Sequence, residues 1–244
     1  MRILAFDTST PIINLCLMDS GRLVIGREIP PAAANRQEAV TMLLPSIDTA
    51  LKEAGWDKHS LSCLVVGQGP GSFTGIRTAV VTAKTLAQAL KLPLLGVSSL
   101  ECYARQVQGP VAVLLAGAPG FLFAAGYSAN GEAQVPPAYL SCDAAAQTFK
   151  PFSRWLADDA VRQQLGAQVS HCEPLPVLKN IAVMQAQIAQ DRLSLRVPNR
   201  LSSEERTRLA EEFTWRHVEP LYLRSPSVTV KKSNANQDQA DDIK

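Results

Sequence analysis

Two short stretches of this chain carry residue types at spacings that chemistry could use. The first is Asp7-Thr8-Ser9-Thr10, directly after the apolar run Ile3–Phe6. A carboxylate at a strand end, followed by three hydroxyl residues, can present one anionic group and several N–H donors to a phosphate–metal complex. The same residues can also tie down a tight turn through side-chain hydrogen bonds. The second stretch is residues 67–77, G-Q-G-P-G-S-F-T-G-I-R. Its glycines Gly67, Gly69, Gly71 and Gly75, with Pro70, permit sharp turns and close approach by a ligand or another backbone. Ser72 and Thr74 add hydroxyls, and Arg77 adds a cation. A nest of backbone donors at a helix N-terminus can hold an anion; a self-bonded loop that supports a surface fits the same residues.

Several familiar chemistries do not match. A Walker A loop needs a lysine right after its last glycine, and Gly75 is followed by Ile76-Arg77. A G-x-S-x-G nucleophile elbow fails because Ser72 directly follows Gly71. The dinucleotide pattern G-x-G-x-x-G begins at Gly69 and Gly71, but Thr74 stands where the third glycine belongs. Arg77 could neutralise a phosphate or clamp a partner carboxylate, or form a surface ion pair of small worth. His59, His171 and His217 lack metal-ligand spacing, so no metal site is expected. Ser72 becomes a nucleophile only if folding brings one of those histidines to it. Five scattered cysteines with no C-x-x-C read as reduced, mostly buried residues of a cytosolic protein.

The elements that must position these residues can be read from period and punctuation. With 244 residues, 46% of them apolar and 19% charged, the chain can fold as one large domain or two small ones. A formal charge of +2 gives little bulk steering toward nucleic acid, and Lys58 and Lys231-Lys232 do not form a basic patch. The opening apolar run is too short for a signal peptide, and no stretch is long enough for a transmembrane helix. Strands are expected at 3–6, 12–18 and 22–29. A helix is expected over about 36–54, with Asn35 and Glu38 at capping-box spacing, Val40, Leu44, Ile47 and Leu51 on one face, and Pro45 kinking it or breaking it locally. Leu61–Val66 reads as a central strand leading into the glycine loop. Residues 76–91 read as a helix whose apolar residues Ile76 and Val80 accompany a stripe of Ala79, Ala83 and Ala87. That stripe can pack on the protein's own sheet or on a second subunit. Pro93–Val97 is the next strand, and Ser98 or Ser99 caps a further helix.

After Gly109-Pro110, strands at 111–115, 121–127 and 133–140 repeat the opening order, which predicts a duplicated fold. The second copy has Ala116-Gly117-Ala118 where the first has its carboxylate turn, and no Asp or Glu lies between Gly109 and Gly131. A metal-bound nucleotide site normally uses a second carboxylate. Within residues 149–165 a helix is expected after Pro151, with Trp155 and Val161 on or near its buried side. Val177, Ile181, Met184 and Ile188 read as a buried helical stripe. Ser202 with Glu205 reads as the cap of a last helix with Leu209 and Phe213, and the tail from Lys231 reads as frayed.

These pieces together resemble the bacterial TsaB (YeaZ) family. The matching strings are I-L-A-F-D-T-S-T at 3–10, G-P-G-S-F-T-G-I-R at 69–77, G-V-S-S-L-E at 96–101 and P-L-Y-L-R at 220–224. The resemblance implies an α/β, actin-like ATPase (ASKHA) fold of two tandem ribonuclease-H-like lobes with mixed sheets flanked by helices. The lobes would span 1–107 and 108–230, with a polar tail at 231–244. It further implies a non-catalytic subunit in the synthesis of N6-threonylcarbamoyladenosine (t6A) at position 37 of tRNAs reading ANN codons. Its expected partners are the catalytic TsaD subunit, as a heterodimer, and the ATPase TsaE, with tRNA met indirectly through the complex. A homodimer when alone stays open. The expected TsaD interface is Val40, Leu44, Ile47, Ile76, Ala79, Val80, Ala83 and Ala87. Asp7, Thr8, Ser9 and Thr10 become a vestigial nucleotide turn. No cofactor of its own is implied, with residual ATP or ADP and Mg²⁺ left open. Two departures stand out: Ala39 replaces a histidine common in the family, and Ala116-Gly117-Ala118 replaces D-A-R. The alternative function is a stand-alone ATPase or phosphotransferase using Asp7. A proteolytic Ser72 is a third idea.

Overall fold

The computed structural model describes residues 1–31, 38–166, 172–194 and 203–224. The first sheet is built from β1 (Arg2–Asp7), β2 (Ile13–Asp19), β3 (Arg22–Ile29), β4 (Cys63–Gly67) and β5 (Leu94–Val97), in the order β3-β2-β1-β4-β5. Between and after them come α1 (Glu38–Glu53), α2 (Phe73–Leu90) and α3 (Ser99–Ala104). The second sheet contains β6 (Val111–Ala116), β7 (Phe121–Tyr127), β8 (Ala133–Ser141), β9 (Trp155–Ala157) and β10 (Cys172–Pro174). The remaining helices are α4 (Cys142–Thr148), α5 (Asp159–Leu165), α6 (Ile181–Ser194) and α7 (Ser203–Glu212). Read from its far edge, the second sheet runs β8-β7-β6-β9-β10 and so repeats the first. Both copies pair a three-strand antiparallel meander with two parallel strands. This is the duplicated, two-lobe actin-like fold.

Alternation along β1, β2 and β4 assigns each side chain to a layer. Leu4, Phe6, Leu15, Leu17, Leu64 and Val66 face a core shared with α1 and α2. Ile3, Ala5, Cys16, Met18, Cys63 and Val65 face the opposite core, shared with α6 and α7. Strands covered on both sides read as near-continuous apolar runs, as these do. The parallel register Phe6↔Val66 and Gly67↔Val97 brings the ends of β1, β4 and β5 to one edge. The Asp7 turn, the glycine loop and the start of α3 therefore meet outside the carboxyl ends of the strands, where such sheets place functional groups.

Several expectations need correction. Residues 149–165 are not one helix: Trp155–Ala157 is a buried strand filling the place beside β6, and a helix follows only after Asp158, whose side chain caps it. The sheet's need for a parallel neighbour outweighs local helical period there. Val177 is 89% exposed and precedes α6; of the expected stripe Ile188 is buried and Ile181 and Met184 are half-buried against the same core, and Ala182, Gln185, Ala186, Ala189 and Leu193 complete the buried face. The helix α1 runs through Pro45 without a break. The lobe boundaries also differ, because α6 returns to pack on the first sheet. Asn180 fastens it there, its Nδ2 donating to Arg27 O at 2.9 Å and to Leu15 O at 3.2 Å, and its Oδ1 accepting from Ala182 N at 3.0 Å. The first lobe is thus completed by residues that follow the second. Asn35, His171, Ser202 and the tail from Lys231 lie outside the described residues.

Candidate functional site

The carboxylate of Asp7 ends β1 with none of its surface exposed. Its Oδ1 accepts from Ser9 N at 2.7 Å, and its Oδ2 accepts from Gln185 Nε2 at 2.6 Å. Gln185 reaches in from α6, is itself fully buried, and leaves its Oε1 without a hydrogen-bond partner. The hydroxyl of Thr8 donates to Gly75 O at 2.7 Å, and Ser72 N donates to Ser9 O at 2.7 Å. Thr8 and Ser9 are buried; Thr10 is exposed and donates to Ile12 O at 3.1 Å.

Contact distances explain two of the glycines. A Cβ on Gly67 would fall 1.8 Å from Asp7 Oδ2, and one on Gly75 would fall 1.9 Å from Thr8 O. The glycine loop is pressed against the carboxylate turn, and only the absence of side chains permits that approach. Ser72 caps α2, its Oγ accepting from Gly75 N at 3.3 Å. Across the loop, Gly69 O accepts from Ser99 N at 2.8 Å and from Ser98 Oγ at 3.1 Å. Gln68 continues the link outward: its N donates to Val97 O at 3.0 Å, its O accepts from Leu221 N at 3.0 Å, and its Nε2 donates to Glu219 O at 2.6 Å. The loop is a self-bonded brace joining the first turn, α3 and the returning chain at 219–222.

The corresponding turn of the second lobe is also internally bonded. Ala116 N donates to Asp158 Oδ2 at 2.6 Å, Gly117 N to Phe121 O at 3.1 Å, and Ala118 N to the Tyr139 hydroxyl at 3.0 Å. A carboxylate does reach this turn, from the end of β9 rather than from the turn's own sequence. Its other oxygen accepts from Val161 N at 2.8 Å and caps α5. Tyr103, on α3, feels both turns: burial first, then Cys102, Asp158 and Asp7, push its hydroxyl above the ordinary tyrosine range.

The expected interface residues divide sharply. Ile47, Ile76, Ala79, Val80, Ala83 and Ala87 are 0–5% exposed within this chain's own core, so the alanine stripe packs α2 on its sheet and cannot face a partner. Small residues let the helix lie close to β4, the role that spacing alone could not separate from a subunit contact. Leu44 is 52% exposed, and the side chain of Val40 lies outside the described residues. Among the described residues the exposed large apolar side chains of α1 and α2 are instead Met42, Leu44, Phe73 and Val81. Thr74 and Arg77 are exposed, and Arg77 makes no hydrogen bond or ion pair among the described residues. Ser72 has no histidine partner among them either, its Oγ being turned to Gly75 N. Among the described residues no group of three or more His, Cys, Asp or Glu could hold a metal ion, and no helix is long and apolar enough to cross a membrane.

Sequence reasoning missed three residues here. Gln185 had one readable signal, a large polar residue at a buried helical position. Asp158 had another, an Asp directly after a short apolar run. Tyr222 had none, since its place against Phe73 depends on the chain's return.

A family model, TsaD: tRNA N6-adenosine threonylcarbamoyltransferase, matches residues 27–226. The tRNA threonylcarbamoyladenosine biosynthesis protein TsaB of Escherichia coli is 35% identical over 105 residues, 43% of each chain. TsaB of Bacillus subtilis is 38% identical over 104 residues, 43% of this chain and 44% of that protein. The chain thus spans less than half the length of these curated relatives. Among solved structures, a Pseudomonas aeruginosa protein described as similar to peptidase YeaZ aligns with a TM-score of 0.65 at 21% identity, covering 91% of this chain and 99% of that one. YeaZ from Pseudomonas aeruginosa aligns with a TM-score of 0.62 at 23% identity, covering 79% and 93%. With the model matched over most of its length, the chain belongs to the threonylcarbamoyltransferase family that this model describes, and within it to the TsaB (YeaZ) branch.

Proposed function

We propose that this chain is a non-catalytic supporting subunit for threonylcarbamoyl transfer to adenosine 37 of tRNAs reading ANN codons. It pairs in the cytosol with a catalytic TsaD subunit, and the ATPase TsaE joins them. The pathway is read from the description of the TsaB relatives. The supporting role rests on one observation: both turns that would receive a nucleotide are bonded within the chain. The Asp7 oxygens are engaged by Ser9 N and Gln185 Nε2, and the glycine loop fills the approach to the turn. With both Asp7 oxygens engaged inside the chain, the chain in this reading acts by positioning its partner rather than by making bonds.

The pairing surface in this reading is the outward side of α1 and α2, where Met42, Leu44 and Val81 are exposed at 44%, 52% and 55%. Full burial of such a side chain is worth about 1.5–3 kcal/mol, so covering these half-exposed ones adds about 0.7–1.5 kcal/mol each, and several must act together. The test is co-purification of the full chain with a TsaD subunit, followed by assay for modified adenosine with the full set of subunits. The expected result is a stable pair, no tRNA modification by the chain alone, and loss of pairing in Val81→Arg with an unchanged melting temperature. Steady ATP turnover by the isolated chain, abolished by Asp7→Asn, would overturn this reading in favour of a stand-alone phosphotransferase.

A further inference from the structure

Most of the glycine-loop string is used inside the protein, but three of its side chains are not. Gly67 and Gly75 lie against the carboxylate turn, Ser72 caps α2 and Ile76 is in the core, whereas Phe73, Thr74 and Arg77 face solvent. The Phe73 ring, 36% exposed, stacks on that of Tyr222, 46% exposed, with centroids 4.6 Å apart and planes 26° apart. This pair is held in place by its backbone, through Leu221 N to Gln68 O at 3.0 Å and Gln68 Nε2 to Glu219 O at 2.6 Å.

The two unpaired charges that flank the rings along the chain are both positive. Arg77 lies one turn along α2 from Phe73, and Arg224 lies two residues past Tyr222; both are exposed and have no partner among the described residues. The first turn of α2 has no acidic residue, so the positive end of the helix dipole looks toward the same surface. Glu219, the acid of the segment 218–224, is already paired with Lys84 at 2.6 Å. From Gly71 to Thr78 no aliphatic side chain is exposed, whereas a protein-binding centre is normally apolar with its charges at the rim.

The geometry points to a stacking site for an unpaired nucleobase, with the adjoining phosphates neutralised by Arg77 and Arg224. The ligand is single-stranded RNA of the kind displayed in a hairpin loop. This inference rests on the tRNA-directed reading above and adds to it a direct RNA contact by this chain. The experiment is fluorescence anisotropy on the full chain with a labelled RNA hairpin bearing a single-stranded loop, against a blunt RNA duplex of equal length. The hairpin is expected to bind more tightly. Tyr222→Ala should weaken hairpin binding about tenfold, Tyr222→Phe should retain it, and Arg77→Gln should reduce its salt dependence by roughly one phosphate contact. Thermal melts check that each variant folds, and co-purification with the TsaD subunit is run on the same variants. Equal binding of hairpin and duplex, no hairpin binding, or wild-type binding by Tyr222→Ala would overturn the site. So would loss of protein pairing in Tyr222→Ala with hairpin binding intact. Hairpin binding by a wild-type chain that fails to pair with TsaD would instead refute the functional reading and leave the RNA site standing.

Discussion

Replacing Gly75 by alanine puts two physical effects in direct opposition. Gly75 sits in the first turn of α2, where alanine is favoured over glycine by about 1 kcal/mol on helix propensity. Against this, the new methyl carbon would lie 1.9 Å from the carbonyl oxygen of Thr8 and 3.0 Å from its carbon, both backbone atoms. Relief requires the helix and the β1 turn to separate by about 1 Å, since contacts under 3.0 Å are essentially never seen. That movement stretches two bonds of 2.7 Å, Thr8 Oγ1 to Gly75 O and Ser72 N to Ser9 O. Overpacking costs about 1–3 kcal/mol, and a buried polar group left without its partner costs about 1–3 kcal/mol more. The net expectation is a destabilisation of about 2–4 kcal/mol, which for a chain of this size lowers the melting temperature by about 4–16 °C. Thermal and urea denaturation measure it. Ala89→Gly, exposed on the same helix, is the control and should cost about 1 kcal/mol. Thr8→Val should cost about 1 kcal/mol in the wild type and nothing further in Gly75→Ala, because the bond it removes is already broken. A Gly75→Ala protein at least as stable as wild type would refute the close approach of loop and turn.

Four further outcomes follow from the same packing. Ala83→Trp should destabilise the folded chain by about 3 kcal/mol or more, because Ala83 is fully buried; a soluble protein with a wild-type melting temperature would contradict the assignment of the alanine stripe to the core. Arg192 makes bonds of 2.8 and 2.7 Å to the two oxygens of Glu101, whose side chain is 8% exposed against 40% for the arginine. Arg192→Met should therefore cost about 2–3 kcal/mol, below the usual loss for a fully buried pair because the arginine meets solvent, as read from a denaturant midpoint. Burial pushes the Cys16 thiol up to about 12 from its ordinary 9.0, and moves Cys63 and Cys102 in the same direction. The unfolded chain releases these protons first, so stability should be full below about pH 9 and fall as pH rises toward 12. In the native protein a thiol reagent should label half-buried Cys142 and Cys172 ahead of the three buried cysteines; labelling of Cys16 at the rate of Cys142 would contradict this.

Local pattern was enough wherever a residue's role depends on its neighbours in the chain. Continuous apolar runs marked β1, β2 and β4 because strands covered on both faces need apolar residues at every position. The cap at Ser98 and the glycines of the loop could be read for a similar reason, since turn and cap geometry is a property of a few consecutive residues. The repeated strand order announced the duplication that the two sheets display. Periodicity alone could not say what a helix face meets. Ala79, Ala83 and Ala87 have the spacing of a close contact, and only the position of β4 decides that the contact is internal. The same limit hid Trp155–Ala157, where a gap in a parallel sheet outweighed helical period. It also hid the return of α6 to the first lobe and the meeting of Gln185 with Asp7, residues 178 apart in sequence. Short-range propensity and spacing are encoded in the chain itself, but long-range partners are set by which layers stack to bury the common core, and that was decided by the tertiary structure alone.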